Sequence, residues 1–336
     1  MRRTLRYIRD CSTIPAQLTE IRHIWKKTYD PKTISGRFYD RYYTPGSNGE
    51  VRRGVICICD GSLDHGGITD RIRGMLTTYA EAERRGMPFY ISWTSPFELT
   101  DYLVPAEVDW RIDRSEISYK RDDAFPMIID EMDTLQCHAD NYLRLTAALH
   151  NALPQTHIYS NADNARGNYA ALYSRLFRPS ELLSGALEEH LRELGTDYYA
   201  FSFRFIGLLG GFNDFEPRQL PETEARALIE KVTAEFRSQL SSVPASNRIL
   251  VTGDSRRFLD HVAGIDPRIY IVPGDVKHVD YDRDAGNDVW LKTFVDQHLL
   301  MKAKRITLML TGRMHRSGFP RFAAEVGGAE FVEHRF

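Results

Sequence analysis

From residue 55 onward, short apolar runs alternate with longer stretches in which apolar residues recur at helical spacing. The run Val55-Ile56-Cys57-Ile58-Cys59 is apolar without alternation, as expected of a strand covered on both faces. Ile68, Ile72, Met75, Leu76 and Tyr79 then predict an amphipathic helix. An extended run at residues 88–93 and a polar middle follow. Next come a helix through Leu143, Leu145, Ala148, Leu149 and Ala152, a strand at 156–160, and a helix through Tyr169, Leu172, Tyr173, Leu176 and Phe177. The alternation restarts after Gly195. Strands are predicted at 198–206, 248–252, 269–272 and 306–310. Between them lie helices through Ala225 to Leu240, through Phe258, Leu259 and Val262, and through Leu291, Phe294, Val295, His298 and Leu299. Asp288 caps the last of these, and a final helix begins near Pro320. Such alternation predicts an α/β chain with parallel sheets covered by helices, in two Rossmann-like domains of residues 1–190 and 191–336. Ahead of this pattern, Tyr42 to Gly49 reads as an exposed loop.

The pattern also says where chemistry belongs, because ligands of open α/β sheets bind outside the carboxyl ends of the strands. After the first strand comes His65-Gly66-Gly67-Ile68-Thr69-Asp70-Arg71. Its glycines admit a ligand to the backbone, and the free N–H groups at the helix start favour an anion. The strand at 198–206 carries Arg204 near its end, with Asp214 and Glu216 in the loop that follows. After 248–252 come Gly253, Asp254 and Ser255, and after 306–310 come Thr311, Gly312, Arg313, His315, Arg316, Ser317 and Gly318. Hydroxyls, backbone amides and several cations suit a diphosphate. Each has a plainer reading as well: the Gly-Gly as a packing turn, Arg204 as a salt-bridged strand residue, Asp254-Ser255 as a helix cap, Arg313 and Arg316 as solvated surface.

Charge and composition narrow the partners. A net charge of −2 provides no global attraction to nucleic acid or an anionic membrane, so an anion site must be local. No apolar stretch approaches the roughly 20 residues of a transmembrane helix, and the basic start lacks a signal core. The expected station is the cytoplasm, free or peripheral to the inner face of a membrane. Of the cysteines Cys11, Cys57, Cys59 and Cys137, the middle two share a buried strand and read as packing thiols, since no second pair at zinc spacing follows. Asp280-Tyr281-Asp282 lies in a polar stretch and reads as surface loop rather than metal motif. No metal or cofactor is expected.

Taken in order, these loops resemble the GDP-fucose-dependent fucosyltransferases that act on α1,2, α1,6 and protein O-linked acceptors, including the rhizobial Nod-factor enzymes. Gly66-Gly67-Ile68-Thr69-Asp70-Arg71 is similar to the family's N-terminal glycine loop, and Ser202-Phe203-Arg204 to its His-x-Arg strand end. Gly253-Asp254-Ser255 is similar to its Ser-Asp turn. The acidic helix from Asp296, with Ser317-Gly318-Phe319 and Ala323-Ala324, resembles its last motif. Three departures stand out: Ser202 for the His, Phe205-Ile206 for the Gly-Asp after the Arg, and Asp70 for an Asn.

The resemblance implies a GT-B enzyme whose domains face across a cleft lined by the loops after residues 59, 206, 252 and 310. The first domain would take an oligosaccharide or glycan acceptor. The second would take the nucleotide-sugar donor, GDP-fucose or another. It implies metal-independent inversion, with Arg204 neutralising the β-phosphate and Asp70 as general base. His65, Gly66, Gly67, Arg71, Gly253, Asp254, Ser255, Asp296, Arg313, Ser317, Gly318 and Phe319 would bind the donor. Two rivals stand beside it. One is a nucleotide-sugar or glycan-binding protein without turnover, following loss of the motif His. The other is a Gly-Asp-Ser esterase built on Ser255 with Asp275 and His278.

Overall fold

The structure is a computed structural model and describes residues 21, 22, 26, 38–129, 135–165, 167–213 and 219–336. The chain divides into two compact units, one drawn from Met1–Glu98 and Pro105–Phe177, the other from Leu99–Val104 and Arg178–Phe336.

In the first unit β1 (Gly54–Cys59) leads to α1 (Ile68–Arg84) and β2 (Phe89–Trp93). Then come β3 (Ala124–Ile129), α2 (Leu135–Ala148), β4 (Gln155–Ser160) and α3 (Tyr169–Leu176). The four strands form a parallel sheet in the order β2-β1-β4-β3. Every residue of β1 is buried, which is why its sequence does not alternate. Gly74 on α1 lets the helix lie against the end of β4, for a Cβ there would stand 2.0 Å from the Ser160 carbonyl oxygen. The polar middle of the sequence proves to contain β3. Pro126 masks it, and Pro is tolerated because β3 is an edge strand. The helix expected to reach Ala152 stops at Ala148. Tyr42 is fully buried, so the exposed loop starts at Thr44.

In the second unit α4 (Glu181–Leu194) precedes β5 (Tyr198–Phe203), α5 (Glu222–Leu240), β6 (Arg248–Gly253), α6 (Arg256–Val262) and β7 (Ile269–Tyr270). The chain continues through α7 (Asn287–Lys302), β8 (Arg305–Leu310), α8 (Gly318–Gly327) and β9 (Glu330–Arg335). All strands are parallel, in the order β9-β8-β5-β6-β7. The chain starts in the middle, runs out one side to β7, and returns to build the other side from β8. The strand order therefore reverses between β5 and β8, the place at which open α/β sheets bind ligands outside the carboxyl ends of their strands. Phe201 and Phe203 of β5 pack on Phe236 of α5 at 5.0 and 5.3 Å between ring centroids. From the strand's other face the Tyr198 hydroxyl donates to the Leu299 carbonyl of α7 at 2.7 Å.

Several boundaries differ from expectation. β5 ends at Phe203 rather than at 206, and β7 is two residues long. Gly286, not Asp288, is the N-cap of α7; Asp288 sits in the first turn, where its charge suits the helix dipole. The sequence reading missed α4 and β9. The first buries only Leu183, Leu187 and Leu194, and the second is a half-exposed edge strand with four charged or histidine side chains in six residues. Among the described residues no helix is long and apolar enough to cross a membrane.

Candidate functional site

In the second unit the chain leaves β5 through a tight turn. Phe205 accepts a hydrogen bond from the Leu208 N–H at 3.0 Å, while Ile206 and Gly207 take φ of +48° and +79°. The Asp254 carboxylate, just past β6 and 4% exposed, accepts the N–H groups of Phe205 (2.8 Å) and Ile206 (2.7 Å). Arg204, the first residue after the strand, sets one guanidinium nitrogen 3.4 Å from the same carboxylate, and its side chain is 21% exposed. Its guanidinium also stacks over the Phe212 ring at 4.4 Å. Burial pushes the Asp254 carboxyl above its ordinary value, against the opposing pull of Arg204 and the two amides.

The loop after β8 joins this cluster. Its His315 N–H donates to the Arg204 carbonyl at 2.9 Å. Ser317 is the N-cap of α8, its hydroxyl accepting from the Phe319 N–H at 3.3 Å, so Ser317, Gly318 and Phe319 form the helix start. Arg316 is committed to Glu333 at 2.6 Å. Arg313 is exposed and makes no side-chain hydrogen bond or ion pair among the described residues. Ser255 caps α6 by accepting from the Phe258 N–H at 3.3 Å, the plainer of its two readings. Asp214 and Glu216 lie outside the described residues.

Beside the turn lies a cavity of about 420 Å³, reaching from Leu209-Gly210-Gly211 and Asp254 to Asp275-Val276-Lys277. Its cations are already engaged: Arg257 with Glu222 (2.9 and 2.6 Å), Lys277 with the Gly211 carbonyl (3.2 Å), Arg256 with the Gly274 carbonyl (3.3 Å). The Asp275 carboxylate and the Gln219 amide, also on its wall, make no side-chain hydrogen bond among the described residues. Among the described residues no three His, Cys, Asp or Glu side chains gather as metal ligands would.

Asp296 stands apart from this cluster. It is buried on α7, and its Oδ2 is 2.5 Å from the equally buried Lys292 Nζ one turn earlier. Its Oδ1 is buried without a hydrogen-bond partner among the described residues. Burial raises its carboxyl above the ordinary value, while Lys292 and His190 pull it down. Lys292→Met should therefore cost about 3–5 kcal/mol at neutral pH, because it strands a buried charge. A carboxyl that holds its proton more tightly folded than unfolded loses stability as pH rises through its folded pKa. The gap in melting temperature between variant and wild type should therefore widen as pH rises. A pH-independent gap in thermal melts would refute this account.

In the first unit the Gly66-Gly67 loop is held from within. Gly66 adopts φ +79°, and a Cβ there would meet the Asp70 Cβ at 2.9 Å. The Asp70 carboxylate accepts the Gly67 N–H at 2.9 Å and pairs through its other oxygen with Arg73. The helix start thus already carries a negative charge, and the anion expected at these amides is supplied by the chain itself. Arg71 is 1% exposed; it donates to the Gly66 (3.1 Å) and Ser95 (2.6 Å) carbonyls and stacks over Trp93 at 4.9 Å. His65 is buried, with Nε2 accepting from the Gly61 N–H at 3.3 Å. A neighbouring cluster was not anticipated. Arg41 lies over the rings of Tyr42 (5.1 Å), Tyr119 (4.6 Å) and Tyr159 (5.4 Å) and pairs with Asp60, just past β1, at 3.0 Å. Burial pushes Asp60 up, but His65, Ser62 and Arg41 outweigh it and hold the carboxyl below its usual range. His157 is pushed down to about 3 by burial.

Compared as a sequence, the chain matches no family model and no curated protein. Compared as a structure, it is similar to the NodZ α1,6-fucosyltransferase soaked with GDP-fucose, at a TM-score of 0.54 and 14% identity over 82% of this chain and 92% of that one. It is also similar to a variant of Arabidopsis thaliana FUT1 in complex with GDP (TM-score 0.50, 11% identity, 94% of this chain and 78% of that one). A third similar structure is POFUT1 in complex with GDP (TM-score 0.50, 10% identity, 87% and 99%). At identities this low the likeness establishes the architecture: the chain has the α/β GT-B fold seen in these fucosyltransferases.

Proposed function

We propose that the chain is a glycosyltransferase that moves fucose from GDP-fucose to a glycan hydroxyl, with the donor on the second unit and the acceptor on the first. The observation that carries this reading is Arg204, fixed on two sides where the strand order reverses and beside a cavity of about 420 Å³, within the size range of small-ligand pockets. The fold neighbours were solved with GDP-fucose or GDP, which supports a guanosine diphosphate donor. An uncommitted carboxylate such as Asp275 suits guanine, whose N1–H and exocyclic amine both donate.

In this reading the acceptor oxygen attacks the anomeric carbon while the bond to the β-phosphate breaks. Arg204, with Arg313 and the amides at the start of α8, meets the charge that grows on the departing diphosphate. Inversion follows from a single displacement and calls for no metal. Asp70 takes the acceptor's proton, for which its Oδ1 must exchange Arg73 for the hydroxyl; its side chain is 38% exposed. Arg71 and His65, both buried, shape the loop. Calorimetric titration with GDP in excess EDTA tests the donor assignment. Saturable binding that survives the chelator is expected, and absence of both heat and competition with GDP-fucose would count against it.

A further inference from the structure

We infer that Asp254 is a positioning residue, a latch that holds the turn after β5 in a strained conformation and thereby aims Arg204. A β-branched residue at positive φ is an outlier, and consecutive positive φ values at the centre of a four-residue turn are ordinarily met by Asn or Gly. Here Ile206 fills the first of those positions, at +48°. Something must hold it there, and the Asp254 carboxylate does so with one oxygen on each of the two successive N–H groups, at 2.8 and 2.7 Å. The same carboxylate faces Arg204 at 3.4 Å, and the Arg204 carbonyl is fixed by the His315 N–H. One buried group therefore sets both the backbone from which Arg204 springs and the direction of its guanidinium. That second step rests on the donor reading given above; the clamped turn does not.

The test has two arms. Ile206→Ala and Ile206→Gly remove the same buried side chain, and at a left-handed position glycine should melt about 2–4 °C above alanine. Asp254→Asn keeps the shape but loses one acceptor. It should accelerate amide hydrogen exchange across residues 204–208 by about tenfold or more while the sheet stays protected, and it should erase the difference between the two Ile206 variants. If Asp254→Asn does not fold, Asp254→Glu, which displaces both oxygens, serves with the same readouts. The second arm measures GDP-fucose turnover. Asp254→Asn should lower kcat about tenfold or more, with GDP affinity falling less, and the Arg204→Ala/Asp254→Asn double variant should be no worse than Arg204→Ala alone. Unchanged exchange together with an unchanged Ile206 ordering overturns the latch, and additive losses in the double variant overturn its action through Arg204. If the exchange and melting results hold while wild type itself fails to bind GDP, the clamp stands and the donor reading falls.

Discussion

Gly74→Ala should lower the melting temperature by roughly 6–12 °C, corresponding to about 3 kcal/mol or more. In an ordinary helix the same change gains up to about 1 kcal/mol, so the sign is decided by what the new methyl meets. It meets the backbone carbonyl of Ser160 at 2.0 Å, at the end of a central strand, and a main-chain oxygen cannot rotate away as a side chain can. Either α1 lifts off the sheet or β4 shifts, and each opens a core that is otherwise closely packed. Gly327→Ala should behave alike, its methyl falling 1.8 Å from the Met301 carbonyl oxygen. Gly185, in mid-α4 with open space around it, is the control: alanine there should raise the melting point slightly. Thermal denaturation followed by circular dichroism decides the matter, and a Gly74→Ala protein as stable as wild type would show that the helix and strand approach less closely than described.

Arg204→Ala should reduce kcat/KM for GDP-fucose by about 100-fold or more, near 3 kcal/mol of transition-state stabilisation, the order of losing one fixed oxyanion-type contact. The charge on the β-phosphate grows during bond breaking, so turnover should fall further than GDP affinity. Lysine should rescue only in part, since it neither stacks on Phe212 as a planar group nor offers a fork. The variant also leaves Asp254 buried with two amides but no cation, which moves its already raised carboxyl further up. Arg204→Ala should accordingly lose stability relative to wild type as pH rises, so kinetics belong at a pH where circular dichroism shows it folded. Near-normal transfer by the folded variant would reduce Arg204 to the ion-pair partner of Asp254.

How much of this was legible without coordinates depended on whether the deciding partner was near in sequence. The all-apolar run from Val55 to Cys59 announces a central strand, because burial on both faces leaves no room for alternation. Arg204, Asp254, Ser255 and Ser317 could be picked out because a parallel sheet delivers every strand's carboxyl end to one side. The edge strands β3 and β9 gave no such signal; the first carries Pro126 and the second carries charges, each allowed by one free edge. Charged residues were the harder class, since sequence shows a charge but not what neutralises it. The partners of Asp70 and Asp296 were within reach at helical spacing, Arg73 three residues on and Lys292 four residues back. Arg71 instead turns to carbonyls of its own loop and of Ser95, and Arg41 gathers Asp60, Tyr119 and Tyr159 from distant segments. No spacing rule reports such meetings.

The six residues Leu99–Val104 belong to the second unit although they precede most of the first unit's chain. Tyr102 is fully buried there, stacked on Phe294 at 4.7 Å, donating to the Asn287 carbonyl at 3.0 Å and accepting at its own carbonyl from the Ser180 N–H at 2.9 Å. Anyone recombining chains of this architecture to exchange one unit for a relative's would cut once, near residue 178, and exchange everything beyond. That graft would bring a second half fitted to its old parent's hexapeptide and oblige it to accept a stranger's. A working chimera needs two exchanges, and the smaller of them is six residues long.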